Sequence, residues 1–413
     1  MLSTSPLTHP VTGWPLRVLM LSPEYEMQRV GGLGAHVCAL APRLADHLYL
    51  DLIVPWYDGS EALHSVQQHS MGRYGQVYSV GVSEPEGGEG YVQRVWEMND
   101  QLNAQATTLI EAGAAYDLMH AHDWLTGFVA NDLHQRYHIP LATTIHATEH
   151  GRVQGRTQAS GISQGIHEAE RHLARASDQV IACSLFMREE IASVLGVAES
   201  KITVIPNGVE SKPLLQQPDE AALRRRFHLP AAGPLIFFVG RLVWPKGPDL
   251  LVSAMARVIA AFPDASAILA GRGPLHDHLQ EQIRGLGLQE RVRLVGFISD
   301  ELRDELYALA DAAVFPSRYE PFGIVALEAM AAGAPVIVAD VGGLREVVNH
   351  GHTGLCTAAE SADALAQAII ATLADPPAAR QRATHARVLA RSQFSWDRIA
   401  AQTLALYRSL LAF

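Results

Sequence analysis

The sequence of 413 residues contains little cysteine and no long apolar run. Its three cysteines, Cys38, Cys183 and Cys356, lie far apart and outside any paired spacing such as C-x-x-C, so a reducing, cytoplasmic location is expected. Nowhere do 18 apolar residues follow one another, and residues 1–16 lack the basic start and apolar stretch of a signal peptide. We therefore expect an unexported, soluble protein. The segment before Arg17 should be a loose leader, because prolines interrupt any helix there.

Positive charge is also scarce. The chain has 32 Lys and Arg against 43 Asp and Glu, which gives a formal net charge of -11 at pH 7. Nucleic acids and anionic membranes are recognised by a broad positive field, so neither is an expected partner, and any phosphate contact must be local. The chain is 48% hydrophobic, with glycine and proline spread along it, which is typical of a globular protein. Its length favours two domains of about 200 residues each.

Short apolar runs alternate with helical patterns twice along the chain. The strands predicted in the first half are Arg17 to Ser22, Leu50 to Val54, Leu118 to Ala121, Ala142 to Ile145, Gln179 to Ala182 and Ile202 to Ile205. Those predicted in the second half are Leu235 to Val239, Ala265 to Leu269, Val292 to Val295, Ala312 to Phe315 and Pro335 to Ala339. This alternation predicts an α/β protein with a Rossmann-like domain over residues 1–208 and a second over residues 209–391. Neither half has G-x-G-x-x-G after its first strand, so a nicotinamide dehydrogenase is not favoured.

Helical spacing and loop composition complete the outline. The helices predicted include Asp249 to Ala261, Ile324 to Ala332 and a final one within Ser395 to Leu411. An earlier helical pattern has Val37, Leu40, Ala41 and Leu44 on one face. Residues 83–90 have the composition of a loop, and residues 211–217 that of a linker between the domains.

Two loops after strands have the chemistry of a phosphate site, because ligands of parallel sheets bind beyond the carboxyl ends of the strands. The first contains Gly31-Gly32-Leu33-Gly34, whose backbone N–H groups can approach an anion at a helix start; a tight turn without a ligand would look the same. The second contains Gly240-Arg241 and Lys246-Gly247, where two cations five residues apart can neutralise a diphosphate. Ordinary surface cations would also fit this second pattern.

The segment from Phe315 to Met330 is the most informative. Glu320 follows a strand, Pro321 to Gly323 opens a helix, and Glu328 falls about one and a half turns into that helix. Amides at the helix start would face an anion, while the two carboxylates could hold sugar hydroxyls. Because Glu328 lies among apolar neighbours, its carboxylate needs a partner.

Histidines cluster at two strand ends of the first half. His120 and His122 alternate on a strand and point the same way, and His146 follows the next strand. With a nearby carboxylate such as Asp123 they could ligate zinc, which leaves a metal hydrolase as a rival interpretation. No third strand end supplies a further ligand, so polar residues lining a cleft are the favoured interpretation.

Taken together and in order, these segments resemble the retaining GT-B glycosyltransferases of the family that contains the short bacterial and archaeal glycogen synthases. Glu320 and Glu328 match that family's E-x7-E signature, and His122-Asp123-Trp124, Ile205 to Gly208 and Gly342-Gly343 also fit. The resemblance implies two Rossmann-like domains that face each other across a cleft, with a helix at about residues 392–413 crossing back to the first domain. One departure is that Arg29-Val30 precedes the glycines, where long glycogen synthases have K-x.

The resemblance also implies residue roles. Arg241 and Lys246 would bind the donor diphosphate and stabilise the leaving group, Glu320 would contact the transferred sugar, and Glu328 would hold the ribose. The implied catalytic residues are His122, Asp123, His146, Arg241, Lys246 and Glu320. The implied donor-binding residues are Gly31, Gly32, Gly34, Gly240, Arg241, Lys246, Glu320, Phe322, Gly323, Ile324 and Glu328. No cofactor and no metal is expected, because cations and the helix start take the place of Mg²⁺.

The activity implied is a hexosyl transfer that retains the anomeric configuration. The expected donor is ADP-glucose or UDP-glucose and the expected acceptor an α-glucan, as in an α-1,4-glucan (glycogen) synthase. Transfer to a small phosphorylated sugar, of the maltose-1-phosphate or sucrose-phosphate synthase type, is an alternative, and a GT-B sugar-nucleotide epimerase is another. The sequence does not predict the nucleobase or the oligomeric state.

Overall fold

A computed structural model describes residues 5–10, 13–26, 31–57, 65–83, 90–154, 161–210 and 218–412. The chain divides into two compact units, Met1–Asn207 with Trp396–Phe413, and Gly208–Ser395. The boundary therefore precedes residue 208, and the chain returns to the first unit at Trp396 rather than at about residue 392. Arg29-Val30, the linker at 211–217 and most of the loop at 83–90 lie outside the described residues.

Eight strands form the sheet of the first unit within its described part, in the order β3-β4-β2-β1-β5-β6-β7-β8. They are β1 (Arg17–Leu21), β2 (Tyr49–Trp56), β3 (Val66–Met71), β4 (Gly75–Gly81), β5 (Leu118–His122), β6 (Leu141–Ile145), β7 (Gln179–Ala182) and β8 (Ile202–Val204). Strands β1, β5 and β6 are almost entirely buried, as expected for parallel strands covered on both faces.

The hairpin of β3 and β4 is an addition that the apolar pattern did not predict. Strand β3 pairs antiparallel with β4 at the sheet edge, and five of its six residues, Val66 to Ser70, are exposed. An edge strand with one solvated side has no need of an apolar run, so its polar sequence does not stand out. The hairpin thus adds one antiparallel edge strand to an otherwise parallel sheet.

Helices cover the sheet of the first unit. They are α1 (Gly32–Ala45), α2 (Tyr91–Glu111), α3 (Gly127–Tyr137), α4 (Glu149–Arg152), α5 (Gly161–Ala176), α6 (Leu185–Leu195) and, at the end of the chain, α15 (Trp396–Leu410). The predicted apolar face of α1 is confirmed, because Val37, Leu40, Ala41 and Leu44 are buried in one core with β1. Helix α15 adds Ile399 and Tyr407 to that core. Among the described helices, none has both the length and the apolarity needed to cross a bilayer.

The segment before Arg17 is not a loose leader where the structure describes it. Leu7 donates its backbone N–H to the carbonyl of His47, and Leu16 donates its own to the carbonyl of Leu7. Leu16 is fully buried, and Leu7 packs against the core of the first unit. The prolines prevent a helix, but two leucines and these backbone bonds attach the segment to the domain.

A parallel sheet forms the core of the second unit, with the strand order β11-β10-β9-β12-β13-β14 in its described part. The strands are β9 (Leu235–Val239), β10 (Ser266–Ala270), β11 (Val292–Gly296), β12 (Ala312–Phe315), β13 (Val336–Ala339) and β14 (Leu355–Thr357). The helices are α7 (Glu220–Arg226), α8 (Pro248–Ala261), α9 (His276–Gly285), α10 (Asp300–Leu309), α11 (Ile324–Ala332), α12 (Leu344–Val347), α13 (Ala362–Ala374) and α14 (Pro376–Gln393). Both units are thus Rossmann-like, which confirms the predicted fold class.

Candidate functional site

In the second unit, Lys246 and Glu320 form an ion pair at the carboxyl edge of the sheet. Lys246 follows β9 and Glu320 follows β12, and these two strands are neighbours, so their ends adjoin. The Lys246 ammonium donates to both oxygens of Glu320, at 2.9 and 2.7 Å, and the Ser317 hydroxyl donates to Oε2 at 3.1 Å. Glu320 is buried. Two residues predicted for the site, 74 positions apart, therefore meet directly.

Arg318 also joins these two loops. Its guanidinium donates to both carboxylate oxygens of Asp249, at 2.8 and 2.6 Å, and to the carbonyl of Trp244 at 3.0 Å. It also lies over the Trp244 ring, 4.7 Å from the centroid. Such a two-pronged contact fixes geometry as well as charge, so Arg318 holds the turn that presents Lys246. The sequence analysis did not identify Arg318, because an arginine beside a motif does not reveal its partner.

Two glycines in these loops cannot be replaced without strain. Gly247 has φ +63°, and a Cβ there would lie 2.1 Å from the carbonyl oxygen of Pro316. Gly323 has φ +109°, and its Cβ would lie 2.5 Å from Cδ2 of Leu344. Both positions therefore need glycine for backbone conformation and for close packing.

The predicted donor-binding segment Phe322 to Ile324 offers its backbone rather than its side chains. Phe322 is buried and packs edge to face against Phe394, with 6.0 Å between ring centroids. Gly323 is the N-cap of α11 and contributes no side-chain hydrogen bond to the first turn. The amide dipoles at this helix start favour an anion.

Glu328 has the partner that its apolar surroundings require. Arg303 of α10 donates to Glu328 Oε1 at 3.1 Å and also contacts Asp300 at 2.9 Å and Asp304 at 2.8 Å. Of the three carboxylates, Glu328 is the least exposed and therefore depends most on a cationic partner. In this structure Glu328 is therefore engaged by its own unit, and Arg303 is a residue that the sequence analysis missed.

Gly240 and Arg241 lie directly after β9, in the loop that continues to Lys246. The Gly240 N–H bonds the carbonyl of Ala270 at the end of β10, which keeps this backbone in register with the sheet. The Arg241 side chain is exposed. The planar guanidinium of an arginine suits a two-pronged contact with a phosphate.

In the first unit, the glycine loop already holds a carboxylate. The backbone N–H groups of Gly31 and Gly34 both donate to Oε2 of Glu24, each at 3.1 Å. Gly31 is the N-cap of α1 and Gly32 its first residue. The loop has the anion-binding geometry that was predicted for it, but the anion in this structure belongs to the chain itself.

Three histidines lie together in the first unit, on α1, at the end of β5 and after β6. One ring nitrogen from each of His36, His122 and His146 lies within 4.8 Å of those of the other two. Nδ1 of His122 is 3.1 Å from Nε2 of His146, and Nδ1 of His36 is 2.7 Å from Oδ1 of Asn207. His36 was missed by the sequence analysis because it comes from a helix, whereas only strand ends were searched. A third candidate ligand is thus present, although it comes from a helix and not from a third strand end.

A fourth histidine, His120, stacks beside His122 but has other partners. Its Nδ1 is 2.6 Å from the hydroxyl of Tyr407, and its Nε2 is 2.8 Å from Oγ1 of Thr144. The centroids of the His120 and His122 rings are 4.3 Å apart, which confirms that the two side chains point the same way. Both nitrogens of His120 are thus engaged in structural hydrogen bonds.

Burial keeps this cluster neutral. Loss of hydration, together with neighbouring imidazoles or Arg152, lowers the pKa of His36, His120 and His146 to about 3. The same cause lowers the pKa of His122 well below its usual value. Charge in a buried group is costly, so these rings act as neutral hydrogen-bonding or ligating groups near pH 7.

Asp123 fixes the backbone of His146. Its Oδ1 accepts the His146 N–H at 2.7 Å, and its own N–H donates to the carbonyl of Thr144 at 2.9 Å. Asp123 has φ +56°, a conformation that is strained for a residue with a side chain. Burial raises the pKa of Asp123 to about 6, and Arg152, 3.8 Å away, opposes the rise. The three predicted residues of this unit are thus brought together.

Behind Asp123 lies a buried carboxylate that no motif indicated. Glu170 of α5 accepts the backbone N–H of Glu149 on both oxygens, at 2.8 and 3.0 Å, and lies 3.5 Å from Arg152. Burial raises the pKa of Glu170 to about 8, although Arg152 and the Glu149 N–H oppose this. Arg152 is therefore shared by Asp123, Glu149 and Glu170.

Comparison with known proteins supports both halves of this description. The family model described as Glycosyltransferase Family 4 matches residues 30–212, and that described as Glycosyl transferases group 1 matches residues 219–388. A glycogen synthase of Mycobacterium tuberculosis is 36% identical over 95% of this chain and 94% of its own length. An alpha-maltose-1-phosphate synthase of Mycolicibacterium smegmatis is 30% identical over 96% of this chain and 100% of its own. Among solved structures, a sucrose-phosphate synthase from Thermosynechococcus elongatus is similar with a TM-score of 0.79 and 28% identity, covering 96% of this chain and 99% of that one.

Proposed function

The chain belongs to the GT-B glycosyltransferase family that includes the glycogen synthases, and from this premise we propose that it is a retaining α-1,4-glucan (glycogen) synthase. It would transfer glucose from ADP-glucose or UDP-glucose to an α-glucan. The observation that carries the proposal is the direct contact between Lys246 and Glu320 at adjoining strand ends of the second unit. It joins a cation suited to phosphate with a carboxylate suited to sugar hydroxyls.

The second unit would bind the donor. The Lys246 ammonium has three N–H donors, and its partner among the described residues is Glu320, so a further N–H can reach a phosphate oxygen. Arg241, exposed in the same loop, would contact the diphosphate with its planar fork. Amides at the start of α11 would add to this field, and Glu328 would hold the ribose, sharing Arg303 as it does so. Together these groups stabilise the negative charge that develops on the leaving diphosphate.

The first unit would supply the groups at the reacting carbon. His122 and His146 are neutral and buried, and Asp123 holds the His146 backbone at 2.7 Å. In the reaction that we propose, the bond from the anomeric carbon to the diphosphate oxygen breaks and a bond to the acceptor oxygen forms on the same face. The acceptor's proton passes to the leaving phosphate. No pair of carboxylates for double displacement is required.

Transfer itself would need no metal or cofactor. Lys246, Arg241 and the helix start provide the positive charge that Mg²⁺ provides in other transferases. We also propose a reducing, cytoplasmic location. None of the three cysteines forms a disulfide, and all three lie in the described part of the chain.

A small phosphorylated acceptor is the second candidate. It is favoured by the similarity to the alpha-maltose-1-phosphate synthase, which extends over the whole of that relative. The two proposals share the donor site and differ only in the acceptor.

A matrix of donors and acceptors tests both proposals. ADP-glucose, UDP-glucose and GDP-mannose are each incubated with maltodextrin, with a hexose phosphate or with no acceptor, and released nucleotide diphosphate is measured with and without EDTA. Release with a glucose donor and maltodextrin, undiminished by EDTA, is the expected result. Release only with a hexose phosphate would replace the first candidate by the second. No acceptor-dependent release from any donor would contradict both.

A further inference from the structure

The three-histidine cluster of the first unit has the composition of a transition-metal site. His36, His122 and His146 come from three separate elements, and their candidate ligand nitrogens all lie within 4.8 Å of one another. A tetrahedral zinc ion with Zn–N distances of about 2.0–2.1 Å has its ligands about 3.3 Å apart. His122 Nδ1 and His146 Nε2 are already 3.1 Å apart. For all three to bind one ion, the remaining nitrogen–nitrogen separations, which are at most 4.8 Å, would have to shorten toward this value.

One buried nitrogen in this cluster points to a missing partner. Nε2 of His36 has no hydrogen-bond partner among the described residues, and the His36 side chain is about 97% buried. A buried polar atom without a partner is costly, and a native structure usually has a reason for it. Coordination to a cation would satisfy such a nitrogen. His120, whose two nitrogens are both bonded, is excluded as a ligand.

Asn207 orients His36 in the way that metal ligands are oriented. Its amide oxygen lies 2.7 Å from His36 Nδ1, and because a carbonyl oxygen can only accept, Nδ1 must carry the proton. The lone pair of His36 is thereby left on Nε2, the nitrogen without a partner. Metal-bound histidines commonly donate their other N–H to a carbonyl or carboxylate in this manner.

We propose that His36, His122 and His146 bind one transition-metal ion of the Zn²⁺ class. This inference goes beyond the proposed transfer reaction, which uses no metal. Imidazole nitrogens favour zinc, copper, nickel and cobalt over Mg²⁺, which prefers oxygen ligands.

The test uses Co²⁺ as a spectroscopic substitute for Zn²⁺, with no sugar nucleotide present. The full chain, prepared without a histidine tag and treated with EDTA, is titrated with Co²⁺ while the visible absorption of tetrahedral cobalt is recorded. One equivalent should bind, and Zn²⁺ should displace it. His36→Gln should abolish the band. Asn207→Ala, which removes only the orienting partner, should weaken binding about 10–100-fold.

A second histidine pair provides the matched control. His352 and His385 lie together in the second unit with 4.4 Å between ring centroids, so His385→Gln removes an imidazole from a histidine pair outside the cluster. It should leave the band unchanged. Far-UV circular dichroism checks folding, and Asn207→Ala keeps the test decisive if His36→Gln does not fold.

Absence of the band, or a band that survives both His36→Gln and Asn207→Ala, overturns the metal site. Loss of the band in His385→Gln does so as well. Because this readout involves no donor or acceptor, its failure leaves the transfer proposal standing. An inactive donor matrix with an intact cobalt band would contradict only the transfer proposal.

Discussion

The ion pair between Lys246 and Glu320 permits a quantitative test. The side chains are 23% and 7% exposed, and the ammonium contacts both carboxylate oxygens within 2.9 Å. Removal of one member of a buried pair costs about 3–5 kcal/mol, because the other charge remains buried. Lys246 is partly exposed, so we expect Lys246→Met to lower the free energy of unfolding by about 3 kcal/mol, the lower end of that range.

The double variant Lys246→Met/Glu320→Gln should lose less stability than Lys246→Met alone, since no charge is then left buried. Urea unfolding of the wild type, Lys246→Met, Glu320→Gln and the double variant, followed by far-UV circular dichroism, gives the coupling energy between the two side chains. The contribution of the first unit cancels in this double-mutant cycle. Arg345 provides the control, because its contact with Asp340 is largely exposed. Removal of the Arg345 side chain should lower the free energy of unfolding by less than about 1 kcal/mol. Additivity of the two single changes within about 0.5 kcal/mol would refute the reasoning.

Three further predictions address the loops and the buried carboxylate. Arg241→Ala should lower kcat/KM about 100–1000-fold with little change in unfolding free energy, because the side chain is exposed; a near-normal rate would remove its assigned role. The stability of the wild type should decline relative to that of Glu170→Gln as pH rises from about 4.5 through about 8, because the pKa of Glu170 is higher in the folded than in the unfolded chain. Melting temperatures measured across that range would contradict this if the two curves ran parallel. Gly323→Ala should destabilise by about 1–3 kcal/mol through its φ of +109° and the contact with Leu344, whereas Gly285→Ala, in open space, should not; equal urea midpoints would exclude strain at Gly323.

Elements with continuous apolar sequence could be predicted from the sequence almost to the residue. Strands β7, β9 and β12 and helix α11 have the predicted bounds, because each is predominantly apolar and ends at polar or glycine-containing turns. Strand β3 shows the limit of this approach. Its residues pair with β4 through the backbone, and five of their six side chains are exposed. The sequence of β3 therefore lacks the apolar pattern from which a strand is predicted.

The candidate site was predictable where one motif contained its residues and unpredictable where partners came from elsewhere. Glu328 required a partner because of its neighbours, but only packing of α10 against α11 identifies Arg303. Likewise, His36 lies 86 positions before His122, on a helix whose sequence gives no sign that the ring turns toward the sheet. Spacing predicts what a segment can bind, whereas long-range partners depend on the fold.

Glu24 has a consequence for the glycine loop of the first unit. Its carboxylate accepts from the amides of Gly31 and Gly34, so these donors have a resident competitor within the same chain. Any ligand anion that binds these amides must displace that carboxylate. The apparent affinity for the ligand therefore depends on how much more strongly the amides bind it than they bind Glu24. When such an anion leaves, the Glu24 carboxylate can return to the same two amides.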